Sequence, residues 1–334
     1  MNSVIIEQIR QRIAFLENHK YELVIDADTH ISSIEDLDPH DRNNYFNNSN
    51  YYHGKPICAE DLLMEMKMAD VDMSLIWQNP AVTHYGADQD INFQILYKAN
   101  HYIYKSAEKY PEKFIPAGWT DPKALGKNLA ISLVEKCINE FGFLIIKMNP
   151  AQNQYNIDSE DVVTLFNKIV ELGGIPAFHF GGDTPYTSAE GFEKLALLHP
   201  EHPVLGIHMG GGGPSYNDGE KHYIKARELG LRRSNIYFAE SAKRDTHIES
   251  DLITYQLAGK PFCDHIFCGS DAPYGRESWN FGGYRQMFES LIDGINHTDK
   301  RVRANPFLFS RAVSQKYMGG NIAQFVIDGY KKML

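Results

Sequence analysis

The sequence predicts an α/β fold: a distorted (β/α)8 barrel of the TIM type, with an N-terminal helix and a long insertion after its first strand. Three observations carry this. Eight short apolar runs of strand length recur along the 334 residues. Most are separated by longer stretches in which apolar residues fall at helical spacing. The runs are nearly continuous in apolar residues rather than alternating, which marks parallel strands covered on both faces. Eight β–α units fit a closed barrel better than an open doubly wound sheet. No GxGxxG follows the first run, which weakens a dinucleotide-binding reading.

The elements follow in order. Ile5, Ile6, Ile9, Ile13 and Leu16 sit at helical spacing among Glu, Gln and Arg, so the chain opens on an amphipathic helix. Strands are predicted at 23–31 (LVIDADTHI), 73–78, 114–122 and 143–150. Four more are predicted at 175–182, 203–211, 235–241 and 265–271. Helical patterns occupy 60–70, 88–110, 123–140, 158–172 and 188–198, and helices closing the barrel fill the C-terminal stretch. Residues 32–59 break the rhythm, because a β–α loop usually has about two to six residues. This segment is rich in Asn, Tyr and His, and it reads as a solvent-exposed insertion or as an active-site lid. Tyr45, Tyr51, Tyr52 and His53 are its candidate substrate contacts. Residues 1–334 thus read as one barrel domain.

Charge and cysteine content narrow the function classes. Lys and Arg number 33 against 43 Asp and Glu, a formal net charge of −10. Such a surface argues against nucleic acid or an anionic membrane as partner. The four cysteines form no CxxC pair; they read as core thiols in a reducing cytosol. The N-terminal stretch lacks the apolar core of a signal peptide, and no run approaches the ~18 apolar residues of a membrane span. The expected location is cytoplasmic. The 14 histidines turn attention to metal or acid–base chemistry.

Unusual residues cluster at strand ends. The first strand ends in Asp28-Thr29-His30, the fifth in His179, the sixth in His208 and the eighth in Asp271. In a barrel the carboxyl ends of the strands converge on one mouth, where catalytic residues gather. Asp28 and His30 are two apart, so their side chains share one side of the strand. Carboxylates and imidazoles meeting in one cavity suit zinc, manganese or iron better than calcium. Lys147 ends the fourth strand, either as a point charge for a substrate carboxylate or as part of a salt bridge. Arg276 lies five residues after Asp271 and is a candidate carboxylate fork; Lys243 and Arg244 are further candidates for an anion. Trp77 and Trp119 belong to the core or to the pocket wall. The glycines at 210–213 lack phosphate-loop spacing and instead allow close approach of backbone to a substrate.

Several stretches resemble the amidohydrolase superfamily, in its amidohydrolase-related (amidohydrolase 2) branch. They are IDADTHI, KYPEKFIPAGWTDP, FGFLIIKMNP, FHFGG, GIHMGGG, GSDAPYG and YMGGNIAQFV, and they span nearly the whole chain. The resemblance implies a distorted barrel with a metal at its mouth. It makes Asp28, His30, His179 and Asp271 the metal ligands. It places His208 beside them, as a further ligand or an acid–base residue. Asp28 stands where the branch commonly has His, or Glu in some decarboxylases, so the donor set is more anionic. One divalent ion is expected, zinc first and manganese second. A second metal bridged by a carboxylated Lys147 is the disfavoured variant.

The activity expected first is hydrolysis of an ester, lactone or amide in a small, anionic substrate. Asp271 would act as base toward a metal-bound water, with His208 as oxyanion stabiliser or acid. The alternative is non-oxidative decarboxylation, as in the branch's aminocarboxymuconate semialdehyde and γ-resorcylate decarboxylases. A binding protein on an inactive barrel is the third reading, though it would expect a lost ligand. A homodimer is expected, as is common in proteins of this kind.

Overall fold

The structure is a computed structural model that describes residues 1–48, 54–211 and 219–334. Tyr51, Tyr52, His53, Gly212 and Gly213 lie outside the described residues. The strands are β1 (Ile25–Ile31), β2 (Met73–Gln78), β3 (Phe114–Pro116), β4 (Gly118–Trp119) and β5 (Ile145–Met148). They continue as β6 (Ile175–Gly181), β7 (Val204–Gly210), β8 (Ile236–Glu240) and β9 (Ile266–Cys268). All pairings between them are parallel and follow chain order, β1-β2-β3 and then β4 through β9.

The third predicted strand is divided. Ala117 separates β3 from β4 and donates its N–H to Ile76 O at 3.0 Å, so the run stays on β2 while its second half turns to β5. Beyond β9 the chain returns to β1. Thr29 and Ala272 form a parallel bridge, His30 N donates to Ala272 O at 2.7 Å, and Asp271 N donates to Asp28 O at 2.9 Å. These bonds bring the carboxyl ends of the first and last strands together, and with them the first and last candidate residues.

Helices cover the sheet because their apolar stripes need burial. Helix Glu160–Glu171 buries Val162, Leu165, Phe166 and Ile169 on one face. Each such side chain contributes about 1.5–3 kcal/mol. The N-terminal helix Ser3–His19 buries Ile5, Ile9, Ile13 and Leu16 and packs on the C-terminal helix Asn321–Met333. Asp88 caps helix Gln89–Lys109 by accepting from Asp90 N and Ile91 N. Residues 32–59 are not wholly irregular: Asp38 caps, and Pro39 opens, a helix at Pro39–Asn47. Of the cysteines expected in the core, Cys137 and Cys268 are buried, whereas Cys58 and Cys263 are only partly covered. Cys58 sits at the N-cap of helix Ala59–Ala69, and Cys263 lies in the short turn before β9. No helix among the described residues is long and apolar enough to cross a membrane.

One packed histidine makes the fold acid-sensitive. His265 lies against the Tyr237 ring, 4.1 Å between centroids, with Nδ1 buried and unpartnered. Burial pushes its pKa down to about 4 from an ordinary value of 6.5. Between those values the unfolded chain binds the proton and the folded chain does not, so stability falls as pH falls through that window. At about 1.4 kcal/mol per tenfold change in proton affinity, the loss reaches about 3 kcal/mol. His265→Phe keeps the ring and removes the titration. Denaturant titrations at about pH 7 and about pH 4.5 should show a smaller loss in the variant, and equal losses would contradict this.

Candidate active site

Strand β1 delivers three polar side chains to one side through period-two geometry: Asp26, Asp28 and His30. Asp26 is fully buried; its Oδ1 accepts from Asp28 N and Ser270 N, both at 3.0 Å. Burial pushes its pKa up to about 7.

Asp28 is a fully buried hub. Its Oδ1 accepts from Trp77 Nε1 at 2.8 Å and Lys147 Nζ at 3.2 Å, and its Oδ2 accepts from Ser241 Oγ at 2.6 Å. Burial alone would raise its pKa, but Lys147, His208 and His30 outweigh that and hold the carboxyl below the usual range. The Lys147 ammonium lies 4.4 Å from the centroid of the Trp77 ring and 5.3 Å from that of Trp119. Both indoles are therefore core, and their π faces help to hold the buried cation.

His30 Nδ1 lies 2.8 Å from Gln78 O. A carbonyl only accepts, so Nδ1 carries the proton and Nε2 presents a lone pair. That Nε2 is 3.6 Å from Asp28 Oδ1 and 3.4 Å from Asp271 Oδ1. Burial, with Lys147 nearby, pushes the His30 pKa down to about 3, so the ring is neutral. Burial and the Asp28 charge push the Asp271 carboxyl well above its usual range.

His208 completes a second chain of contacts. Ser241 gives its proton to Asp28, so Ser241 Oγ accepts from His208 Nδ1 at 2.8 Å. The remaining ring atom, Nε2, is the one left for the cavity that His208 lines. Burial, followed by the neighbouring His179, pushes the His208 pKa down to about 3. The backbone is strained at both key residues: φ is +77° at His208 and +58° at Asp271. Such left-handed non-glycine residues cost about 1–3 kcal/mol each and concentrate at functional sites.

Ser241→Ala should leave His208 Nδ1 and Asp28 Oδ2, 3.7 Å apart, without their shared hydroxyl. The expected cost is about 1–3 kcal/mol, together with a mixed tautomer at His208. Denaturant titration and imidazole 15N shifts report both. A wild-type midpoint with an unchanged tautomer would remove Ser241 from this role.

A cavity of about 680 Å³ opens above these groups. His30, Lys147, His179, Asp183, His208 and Asp271 line it, whereas Asp28 lies beneath. His179 lines the cavity in edge contact with His208, 4.6 Å between centroids, and its Nε2 pairs with Asp183 Oδ1 at 3.1 Å. Tyr274 stands edge-on to His30 and ties down the rim, accepting from Ala81 N and donating to Asn79 Oδ1, both at 3.0 Å. Part of the insertion reaches this rim. Asn79 Nδ2 donates to Gly54 O at 3.0 Å, and Asp41 pairs at 2.8 Å with His84, a lining residue. Gly54 has φ +77°, and a Cβ there would fall 2.6 Å from Ala81 Cβ, so the approach requires glycine.

Asp28, His30 and Asp271 thus offer ligand atoms all within 4.8 Å of one another. Two carboxylates and an imidazole lone pair suit a divalent cation. The ring's other nitrogen is fixed on a carbonyl, the usual support for a ligating histidine. Positive charge there would offset the repulsion that raises Asp271. The donor set therefore fits a divalent metal, although His179, the fourth expected ligand, is not part of this cluster and pairs with Asp183 instead. Lys147 takes its salt-bridge alternative, paired with Asp28 while still lining the cavity.

Two expectations need correction. Arg276 is not at the cavity: it opens helix Glu277–Ile292 and grips Glu65, with Nη2 to Oε1 at 2.5 Å and Nε to Oε2 at 3.4 Å. Glu65 is buried and needs a cation in a low-dielectric setting, so the fork serves an internal carboxylate. Lys243 is likewise buried, paired with Glu240 and Asp251, and is not among the residues lining the cavity. Sequence reading also missed Asp183 and Ser241. Ser241 ends the 235–241 run at the same end as the other site residues, so the strand-end rule could have found it. Asp183 follows Gly181-Gly182 at the end of β6, a turn signal that does not announce a cavity residue.

A parallel barrel that gathers buried acids, imidazoles and a lysine at its carboxyl mouth is built as a barrel enzyme. Residues 25–325 match the Amidohydrolase family, and the chain belongs to it. Solved structures share the fold. A 2,6-dihydroxybenzoate decarboxylase from Rhizobium aligns with TM-score 0.61 at 13% identity, over 92% of this chain and 98% of that one. A 5-carboxyvanillate decarboxylase from Novosphingobium aromaticivorans, complexed with manganese, gives 0.64 at 13%, over 92% and 97%. A 4-oxalomesaconate hydratase from Rhodopseudomonas palustris gives 0.56 at 19%, over 86% and 96%. No match to a curated protein was found.

Proposed function

We propose that the protein is a metal-dependent decarboxylase of a small aromatic or unsaturated acid. The observation that carries the reading is the proton-handling side of the cavity. His208, with Nδ1 tied to Ser241, presents Nε2 to the same space as the Asp28–His30–Asp271 donor set. Decarboxylation needs a clamp for the substrate's oxygens and a side chain that delivers a proton to carbon. In this reading His30 and Asp271 would hold one divalent ion, with Asp28 and His179 as further candidate ligands. Bound there, the ion supplies an electrophile for the substrate's oxygens. Lys147 balances the Asp28 charge and adds positive potential toward a carboxylate. Asp271, whose carboxyl lies well above its usual range, would carry the proton delivered to carbon, and His208, whose Nε2 is bare in the neutral ring, would accept and return a proton. Manganese, present in the Novosphingobium relative, is the metal to test first, and zinc second. The decarboxylase relatives of the same fold support this choice over the hydrolysis expected first.

Hydrolysis stands second, favoured by the description of the matched family. One assay separates the two. Protein supplied with manganese or zinc is given hydroxybenzoic acids, unsaturated diacids and lactones. Carbon dioxide release without lactone opening supports the proposal, whereas lactone opening without carbon dioxide release overturns it.

A further inference from the structure

A second cavity, of about 320 Å³, lies behind the rim of the first. The two share a wall, the segment from Gln78 to Thr83. Pro80, Ala81 and Thr83 face the catalytic cavity, while Gln78, Asn79, Val82 and Thr83 face the second. The opposite wall is one face of helix Gln89–Lys109, where Ile91, Ile95, Ala99 and Tyr102 recur at helical spacing. Ile91 is 57% exposed there, an apolar residue turned outward at the cavity rather than into the core.

Two buried polar atoms of residues lining this cavity lack partners. Ser32 and Gln78 are 7% and 2% exposed, and neither Ser32 Oγ nor Gln78 Nε2 has a hydrogen-bond partner. A buried polar atom left unsatisfied costs about 1–3 kcal/mol, so a pair of them on one cavity is a reason to look for a ligand. The cavity's charged residues are one acid, Asp36, and one base, Lys98, which gives no preference for either sign.

We infer that this cavity is a second small-molecule site, for an uncharged, mainly apolar ligand carrying a hydrogen-bond acceptor for Gln78 and Ser32. Its occupant would be felt at the catalytic centre. Gln78 offers its side chain to the second cavity and its carbonyl to His30 Nδ1 at 2.8 Å. Thr83, which lines both cavities, is hydrogen-bonded to the Gln78 side chain. A ligand that moves Gln78 therefore alters the support of His30, and the coupling is reciprocal.

Benzamide is a suitable probe, because it joins an apolar ring to an uncharged acceptor. Calorimetry on the full chain should show one saturable site with Kd of about 1 mM or tighter, and benzoate and benzylamine should bind more weakly. Ala99→Phe fills the cavity from the helix side and should weaken benzamide by about tenfold or more. Ile95→Trp does the same from one turn earlier. Benzamide should also shift the apparent manganese affinity of the wild type, but not of the filled variants. No saturable binding to the wild type, or equal binding to both filled variants when folded, would overturn the site. Binding that leaves manganese affinity unchanged would overturn the coupling. None of these readouts uses catalytic activity; the benzamide binding stands apart from the decarboxylase proposal, whereas the manganese shift rests on the metal site proposed there.

Discussion

Lys147→Met should destabilise the protein by about 3–5 kcal/mol, the loss expected when one partner of a buried ion pair is removed. Methionine keeps much of the lysine stem's bulk between Trp77 and Trp119 but not its charge. Asp28, with no exposed surface, then keeps two neutral donors, Trp77 and Ser241, and loses its ammonium. A carboxylate left in that setting must take up a proton or force the barrel end open. Asp28→Asn in the same background removes the uncompensated charge and should recover part of the loss, a coupling that a double-mutant cycle measures. A wild-type denaturation midpoint for Lys147→Met would contradict the hub assigned to Asp28.

Asp271→Asn should cost about a thousandfold in turnover while leaving the fold intact. The substitution keeps the shape of the side chain at the strained φ of +58°, which Asn tolerates as well as Asp. It removes one of the two carboxylates in the donor set and the proton-carrying group beside His30. The backbone bond from Asp271 N to Asp28 O does not depend on the side chain, so the circular dichroism spectrum should be unchanged. Carbon dioxide release within about tenfold of wild type would remove Asp271 from the chemistry.

Much of this site could be read from strand ends. The parallel strands are buried on both faces, so a polar residue at a strand's carboxyl end stands out against an apolar run. That rule finds Asp28, His30, His179, His208 and Asp271, and the structure gathers all five about one cavity, with Asp28 as its floor. It also finds Lys147, though not its partner, since nothing local links positions 119 residues apart. The rule fails where function leaves the strand. Asp183 stands in a turn and meets His179 across it. Arg276 resembles an anion fork in one dimension, but Glu65 on another helix claims it. The third strand divides at Ala117 because the barrel must pass from β2 to β5 there, a demand of closure that no local pattern records. The helix at Pro39–Asn47 was signalled by Asp38-Pro39, a cap followed by a first-turn proline, inside a segment whose Asn content reads as loop.

The proposed function needs one divalent metal at the barrel mouth, which His30 and Asp271 would hold. Elemental analysis tests it directly, on wild type and on His30→Ala and His179→Ala, each incubated with manganese and zinc and then desalted. About one manganese or zinc per wild-type chain is expected, lost in His30→Ala and weakened in His179→Ala. A folded wild type that retains no metal, or a His30→Ala variant that retains it fully, would rule out this metal site.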